Sequence, residues 1–386
     1  MKTADWTTAN RILCIRLDSL GDVLMTTPAL GAIKETNPQA HLTLMTSEAG
    51  SAIAPLLPII DETLVYDAPW LKATAPRTNS QPEYAQFEAL RQQFDAAIIF
   101  TVYSQNPLPS AFMTYMADIP LRLAHCRENP YQLLTHTVKE PEPEQFIRHE
   151  VQRQLDLVAS VGFHTATPRM SLDIPLKAQK RVALLLSELG LSSSSPWVVV
   201  HAGASAPSRR YSPEQFAQVA DALQTKGIPI VFTGTKTERP LIDQIRSQMG
   251  TSSLSLVGML DLAGLAALLQ TAPLLLSNNT GPVHLAAAVG TPVVDLYALT
   301  NLQHTPWGVP NRVLYHEVPC RLCYKSICPE GHHDCLRRVE PEQVVAAVVE
   351  LLAETHRPSD SFPSMEMQLD SPSGNSPLGM ASLGFR

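Results

Sequence analysis

Two strand-to-helix corners, one in each half of the chain, and a regular alternation of strand-like and helix-like segments predict an α/β protein. Its two nucleotide-fold halves are expected to face each other across a cleft. The first corner runs from Arg11-Ile12-Leu13-Cys14-Ile15-Arg16-Leu17 through Asp18-Ser19-Leu20-Gly21-Asp22 into the helical Val23-Leu24-Met25. The second runs from Pro273-Leu274-Leu275-Leu276 through Ser277-Asn278-Asn279-Thr280-Gly281-Pro282 into Val283-His284-Leu285-Ala286-Ala287-Ala288. Corners of this kind gather unpaired backbone N–H groups at the positive end of a helix dipole, which suits phosphates and catalytic side chains. A chain of 386 residues also exceeds one ordinary core and points to two domains, three at most.

In the first half the expected strands are Ile12 to Leu17, His41 to Met45, Thr63 to Tyr66 and Ala96 to Thr101, with helices over Val23 to Thr36 and Pro82 to Phe94. Alternation like this implies a parallel sheet covered on both faces. Glu140-Pro141-Glu142-Pro143-Glu144 reads as a loop, His149 to Val161 as a helix and Thr165 to Pro175 as a linker. The pattern restarts with strand Trp197 to His201, helix Pro213 to Lys226, strand Ile228 to Thr233, helix Pro240 to Met249 and strand Leu254 to Val257. It continues through helix Leu262 to Thr271, strand Leu274 to Ser277, helix Pro282 to Val289 and strand Val293 to Tyr297. Ser212-Pro213-Glu214-Gln215 fixes one helix start by capping chemistry. A last amphipathic helix spans about Gln343 to Glu354, and Arg357 to Arg386, rich in Ser, Pro, Gly and Met without periodicity, is expected to be disordered.

The hydrophobic fraction of 45% against 17% charged residues is that of a globular protein. A net charge of −7 argues against a protein that grips nucleic acid through its phosphates, so any anionic ligand has to be met locally. Met1-Lys2-Thr3-Ala4-Asp5-Trp6 lacks the order of a signal peptide, and the apolar stretch Leu262 to Leu276 is interrupted by Gln270 and Pro273. The expectation is a cytoplasmic protein able to touch a membrane surface.

At the first corner Asp22 reads either as a general base for a hydroxyl presented in the cleft or as a helix cap. At the second, a diphosphate would accept hydrogen bonds from the N–H groups of Thr280, Gly281 and Val283, while the asparagines and Thr280 are candidate caps. His284 reads as a phosphate or sugar contact, or as a packing residue. After strand Trp197 to His201, the small residues Ala202-Gly203-Ala204-Ser205 precede Arg209-Arg210, a guanidinium pair suited to a departing pyrophosphate. Glu238, in Thr233-Gly234-Thr235-Lys236-Thr237-Glu238, is a candidate for ribose hydroxyls. Cys320, Cys323, Cys328 and Cys335, with His332 and His333 among them, read as a closed structural metal site, zinc by default or iron, or as free or partly oxidised thiols.

With these residues in view the chain resembles glycosyltransferase family 9, the ADP-heptose:lipopolysaccharide heptosyltransferases, over about Arg11 to Leu352. The resemblance rests on Arg16 with Leu20-Gly21-Asp22 and Pro28, on His149-Glu150, on His201-Ala202-Gly203-Ala204, and on Asn279-Thr280-Gly281-Pro282-Val283-His284 through to Gly290-Thr291-Pro292. A cysteine cluster with a Cys-Pro and a His-His is similar to that of a subset of the family. The resemblance implies a GT-B fold: a Rossmann-like acceptor domain over residues 1–170 and a Rossmann-like nucleotide-sugar domain over 171–356. It also implies inverting transfer from an ADP-sugar, without a catalytic metal, to a glycolipid at the cytoplasmic face of the inner membrane. Asp22 is then the base and Arg209 the cation that meets the leaving diphosphate. Gly203, Thr235, Glu238, Asn279, Thr280, Gly281 and His284 fall on the donor side; Arg16, Ser19 and Gly21 fall on the acceptor side. The family's usual aspartate is Asn279 here, and its usual Gly-Pro-Thr-Asp-Pro is Ala298-Leu299-Thr300-Asn301-Leu302.

Two other classes compete. A non-catalytic nucleotide- or metal-sensing module would use the cysteine cluster, with redox-dependent metal release and no turnover. An NAD-dependent oxidoreductase is disfavoured because neither corner spells Gly-x-Gly-x-x-Gly. Arg122, Arg127 and Lys72 are candidates for an anionic acceptor or are ordinary surface cations.

Overall fold

A computed structural model describes residues 5–71, 74–192 and 195–355, all within one compact unit. It contains two six-stranded sheets, and every strand pairing in them is parallel. The first comprises β1 (Arg11–Ile15), β2 (His41–Thr46), β3 (Glu62–Val65), β4 (Ala96–Ile99), β5 (Leu121–Cys126) and β6 (His136–Lys139), ordered β3-β2-β1-β4-β5-β6. The second comprises β7 (Val198–His201), β8 (Ile230–Thr233), β9 (Leu254–Ser255), β10 (Leu275–Asn278), β11 (Val293–Leu296) and β12 (Asn311–Leu314), ordered β12-β11-β10-β7-β8-β9. Both orders reverse direction between the first and fourth strand of the half, the place where an open parallel sheet leaves a crevice at its carboxyl edge. The strands are short apolar runs because helices cover both faces: Val198–His201 and Ile230–Thr233 are buried throughout.

The element order agrees with the pattern read from the sequence, with additions. Strands β5, β6 and β12 and the helices Leu108–Met116, Leu176–Glu188 and Asp334–Arg337 had no counterpart in that reading. Residues 165–175 run without helix or strand, as a linker does. The tail from Arg357 and the side chain of Lys72 lie outside the described residues. Among the described residues no helix is long and apolar enough to cross a membrane.

The two corners meet. Helix Leu20–Thr36 begins at the first and helix Gly281–Val289 at the second, and their starts pack on each other through residues without bulk. A Cβ on Gly21 would stand 2.7 Å from His284 Cδ2, and one on Gly281 would stand 3.4 Å from Leu20. Val23, Leu24 and Met25 share a buried apolar cluster with Val283, Leu285 and Ala286. The small side chains of both corners are therefore contact surfaces between the halves.

The loop carrying Asp18 is braced from beneath. Ser47 Oγ donates to Asp18 O at 2.7 Å and accepts from Gly50 N at 3.0 Å. A methyl group on Gly50 would stand 2.7 Å from that same carbonyl, which the brace keeps from moving away. Gly50→Ala is expected to destabilise the protein by about 1–3 kcal/mol, read by urea unfolding, because overpacking against fixed backbone costs that much.

Candidate active site

Arg16 follows β1 directly and its side chain is wholly buried. A guanidinium in that position has to be surrounded by partners, since desolvating an unpaired charge costs several kcal/mol. Three carboxylates supply them: Glu150 Oε1 at 2.8 Å, Asp18 Oδ2 at 3.1 Å and Asp22 Oδ1 at 3.2 Å. Burial disfavours the charged guanidinium, but the three acids outweigh it and raise the Arg16 pKa. The acids divide. Burial would raise Asp22, yet Arg16, His304 and the Ser19 hydroxyl hold it at about 2. For Asp18 burial wins over Arg16, with Asp22 adding to the rise, and the carboxyl is pushed up to about 6. Asp22 is thus ionised at neutral pH. It also accepts from Ser19 N at 3.2 Å and Ser19 Oγ at 2.7 Å, so the base-like carboxylate and the helix cap are the same group.

Glu150, fully buried, ties this cluster to the second half. It opens helix Glu150–Ala159, its N–H donates to Gln303 O at 3.0 Å, and Gln303 Nε2 reaches its Oε2 at 3.4 Å. Beside it His149 Nε2 lies 2.9 Å from Thr305 O, and its ring lies 4.6 Å from that of Trp307.

On the donor side Asn278 Nδ2 donates to Ala202 O at 2.8 Å and Asn278 Oδ1 accepts from Tyr211 N at 3.0 Å, stitching the second corner to the loop that carries Arg209. The Arg209 guanidinium makes no ion pair among the described residues, while Arg210 Nε donates to Ala204 O. Ser208 fixes the Arg209 turn to the cysteine-rich segment through Lys325 O and Ser326 O. Glu238 Oε2 accepts from Thr235 N at 2.7 Å and Thr235 Oγ1 at 2.9 Å, and its other oxygen crowds Gly203, where no Cβ would fit. Thr280 Oγ1 donates to Asn278 O at 3.2 Å.

Asn279 uses both amide protons, on Asp295 Oδ2 and His304 O, each at 2.8 Å. Asparagine suits this position because an aspartate would set carboxyl against carboxyl and lose the bond to His304. Burial pushes Asp295 up to about 8, against Asn279 and Arg209. His304 and His284 face each other with ring centroids 6.3 Å apart. Burial keeps both neutral, at about 4 and about 3, although Asp22 pulls each the other way. His304 Nε2 and His284 Nδ1 are buried without a partner among the described residues. His304 Nδ1 lies 3.5 Å from the Asn301 amide nitrogen, a contact that favours the tautomer with its proton on Nε2.

The residues expected around the two corners do come together, with corrections. Val283 N–H is not free for a phosphate, because it donates to Thr280 O at 3.0 Å inside the first turn. Asn278 binds loop backbone and Asn279 binds Asp295 of β11 and His304 O, so neither caps the helix, and Thr280 at the cap position makes no side-chain cap bond. Arg122 is consumed by the carbonyls of Leu133, Gln132 and Ile119, and Arg127 by Tyr103 O at 3.0 Å, so neither is a spare cation. The closed metal site at Cys320, Cys323, Cys328 and Cys335 is not formed. Among the described residues no group of three or more His, Cys, Asp or Glu side chains converges to hold a metal ion. Cys320 Sγ comes to 3.6 Å from His332 Nε2, and Cys320 and Cys335 both pack against the apolar group of Tyr297, Leu299 and Val318. Asp18, the second carboxylate of the first corner, joins the site as a partner of Arg16, and Glu150, Asp295, Gln303 and His304 join it without a chemical role assigned from the sequence. The signals for these four are the His149-Glu150 pair and the departure from the usual stretch after β11.

A model of the family described as glycosyltransferase family 9 (heptosyltransferase) matches residues 84–333. The lipooligosaccharide heptosyltransferase 2 of Haemophilus ducreyi is 26% identical over 364 residues, covering 89% of this chain and 99% of that one. The fold is similar to that of a family 9 glycosyltransferase from Veillonella parvula, with TM-score 0.73 and 23% identity over 91% of this chain and 98% of the other. It is also similar to the ADP-heptose lipopolysaccharide heptosyltransferase II of Escherichia coli, with TM-score 0.67 and 22% identity over 90% and 100%.

The Asp295 carboxyl has a consequence for stability. Its folded-state pKa of about 8 lies above its ordinary 3.8, so the folded protein keeps a proton that the unfolded chain releases. That contribution is fully present at low pH and is lost as pH rises from about 4 to about 8. Thermal melts of Asp295→Asn, which keeps the oxygen facing Asn279, are expected to show a smaller fall in melting temperature over this window than the unaltered protein.

Proposed function

The chain belongs to glycosyltransferase family 9 and is a sugar-transferring enzyme of GT-B fold; from that premise we propose that it moves a heptose from ADP-heptose to a hydroxyl of a lipopolysaccharide-core-like glycan, with inversion. The observation that carries the reading is the Arg16-held Asp22 carboxylate, ionised and set where the two corners meet. In this mechanism the acceptor oxygen attacks the anomeric carbon from the face opposite ADP. The new C–O bond forms as the bond to the diphosphate breaks, and the hydroxyl proton passes to Asp22. A carboxylate held at about 2 is a weak base, so it takes the proton late, once bond formation has made the hydroxyl acidic.

Negative charge grows on the departing diphosphate. Arg209, free of ion pairs among the described residues, and the N–H groups of Thr280 and Gly281 at the start of the helix meet it. His304 Nε2–H and His284 line the space between base and leaving group. Glu238 and Thr235 take the nucleoside, with Gly203 leaving room for the Glu238 carboxylate. No metal is given a part in these steps. We assign residues 1–170 to the acceptor and 171–356 to the donor. The setting we propose is the cytoplasmic face of the inner membrane, with a glycolipid acceptor and no nucleic-acid partner. Membership of a transferase family sets aside a sensing module.

Calorimetric titration of ADP, UDP, GDP and NAD is expected to show selective ADP binding, weakened roughly tenfold or more by Arg209→Ala. Preference for UDP or GDP would replace the donor, and binding of none would remove the transferase reading. Asp22→Asn is expected to keep ADP affinity while lowering kcat for transfer from ADP-heptose by about 10²–10⁴-fold. Intact transfer in that variant would rule Asp22 out as the base.

A further inference from the structure

A cavity of about 340 Å³ opens at the carboxyl ends of β1 and β4. This is the switch point of the first sheet, where ligands of open parallel sheets collect. Asp18 forms part of its wall, and the Arg16 that holds Asp18 also holds Asp22, so the cavity adjoins the base. The other chemistry-bearing lining residues are Trp70, Thr101, Ser104, Gln105 and Asn106.

Three properties of this lining decide what fits it. Trp70 is about one-third exposed and is supported edge-on by Tyr66 at 5.8 Å, which leaves an indole surface for the C–H face of a ring. Hydroxyls and planar amides stand beside it, the arrangement that hydrogen-bonds a polyol. Thr101 Oγ1 is buried without a partner, a polar atom left for a ligand. The charge is the third property. No Lys, Arg or His is among the described lining residues. Asp18 is already engaged by Arg16 at 3.1 Å and by Gln105 Nε2 at 2.6 Å. Three carboxylates around one guanidinium leave that cluster net negative; Arg122 is spent on backbone carbonyls, and Arg127 and Arg153, which donate to Tyr103 O and Thr101 O beside the lining, are each paired with an acid, Glu144 and Glu140.

We infer that this cavity receives an uncharged sugar ring of the acceptor, resting on Trp70 and hydrogen-bonded by Thr101 and its polar neighbours, and that it rejects a ring bearing a carboxylate or phosphate. The inference rests on the transferase reading for its direction: the ring's hydroxyl points past Asp18 to Asp22. Rejection follows from bringing a second anion toward a negative wall with no cation among its described lining residues to receive it, the repulsive half of specificity.

Saturation-transfer NMR with the full chain tests this without turnover. The probes are a panel of neutral methyl hexosides, their 6-carboxylates and their 6-phosphates, with ADP calorimetry on the same samples. At least one neutral glycoside is expected to bind, and its charged counterparts to bind roughly tenfold more weakly or not at all. Trp70→Ala is expected to lose the glycoside roughly tenfold while ADP affinity stays, and Asp18→Asn to narrow the gap between neutral and charged rings. The inference is overturned if the charged ring binds as well or better, if Trp70→Ala leaves binding unchanged, if the gap persists in Asp18→Asn, or if no neutral member binds. ADP bound without any glycoside would sink this inference and leave the transferase reading standing; ADP unbound would sink the ADP-heptose donor reading itself.

Discussion

One buried cation organises this molecule. Arg16 stands at the end of β1 with no exposed surface, and every element it touches takes its position from it. Asp22 brings the first turn of helix Leu20–Thr36, Asp18 brings the wall of the cavity beside it, and Glu150 brings the start of helix Glu150–Ala159. Removing one member of such a cluster leaves an uncompensated charge in a dry place, which costs about 3–5 kcal/mol. The same geometry sets the chemistry, because the guanidinium that satisfies the fold is what keeps Asp22 ionised against its burial. Stability and reactivity here depend on one set of contacts.

The second half is joined to that cluster by ordinary backbone chemistry. Gln303 O caps Glu150 N, and Thr305 O faces His149, so the segment after β11 is held against the helix that supports Arg16. That segment also carries His304, which lies within electrostatic reach of both Asp22 and Arg209. Its carbonyl is fixed by Asn279, which in turn is paired to the buried Asp295. Two departures from the family's usual sequence, at Asn279 and after β11, thus belong to one hydrogen-bonded arrangement. The cysteine-rich segment has a mechanical part in the same region, since its carbonyls hold the turn that presents Arg209.

Much of the fold was legible because it repeats a local rule: an apolar run of strand length, a small-residue corner, a capped helix. Val198–His201 and Ile230–Thr233 obey that rule, and the strands and α-helices from β7 to β11 fall within two residues of the pattern at either end. The strand Leu121–Cys126 hides because Arg122 and His125 interrupt its apolar run, although both are buried through bonds to carbonyls. His136–Lys139 is largely exposed and carries no pattern to find. In the site, Asp22, Gly21 and His284 lie at corners and could be found from the chain alone. Glu150 is 134 residues from the arginine it pairs, and Gln303 is 153 residues from Glu150; pairing of that kind is a product of folding. The cysteines mislead for the converse reason: Cys320 and Cys335 pack on one apolar group, yet among the described residues no three metal-ligating side chains converge.

The most direct test of the organising role of Arg16 is steady-state transfer from ADP-heptose by Arg16→Lys, with its fold checked by circular dichroism. A lysine retains the charge but loses the planar fork that engages three carboxylates at once. The account predicts a folded protein whose kcat falls by about 10²-fold, with donor KM little changed and the acid limb of the pH profile moved upward as Asp22 is released toward its ordinary carboxylate range. A folded Arg16→Lys enzyme with unchanged kcat and an unmoved limb would contradict it.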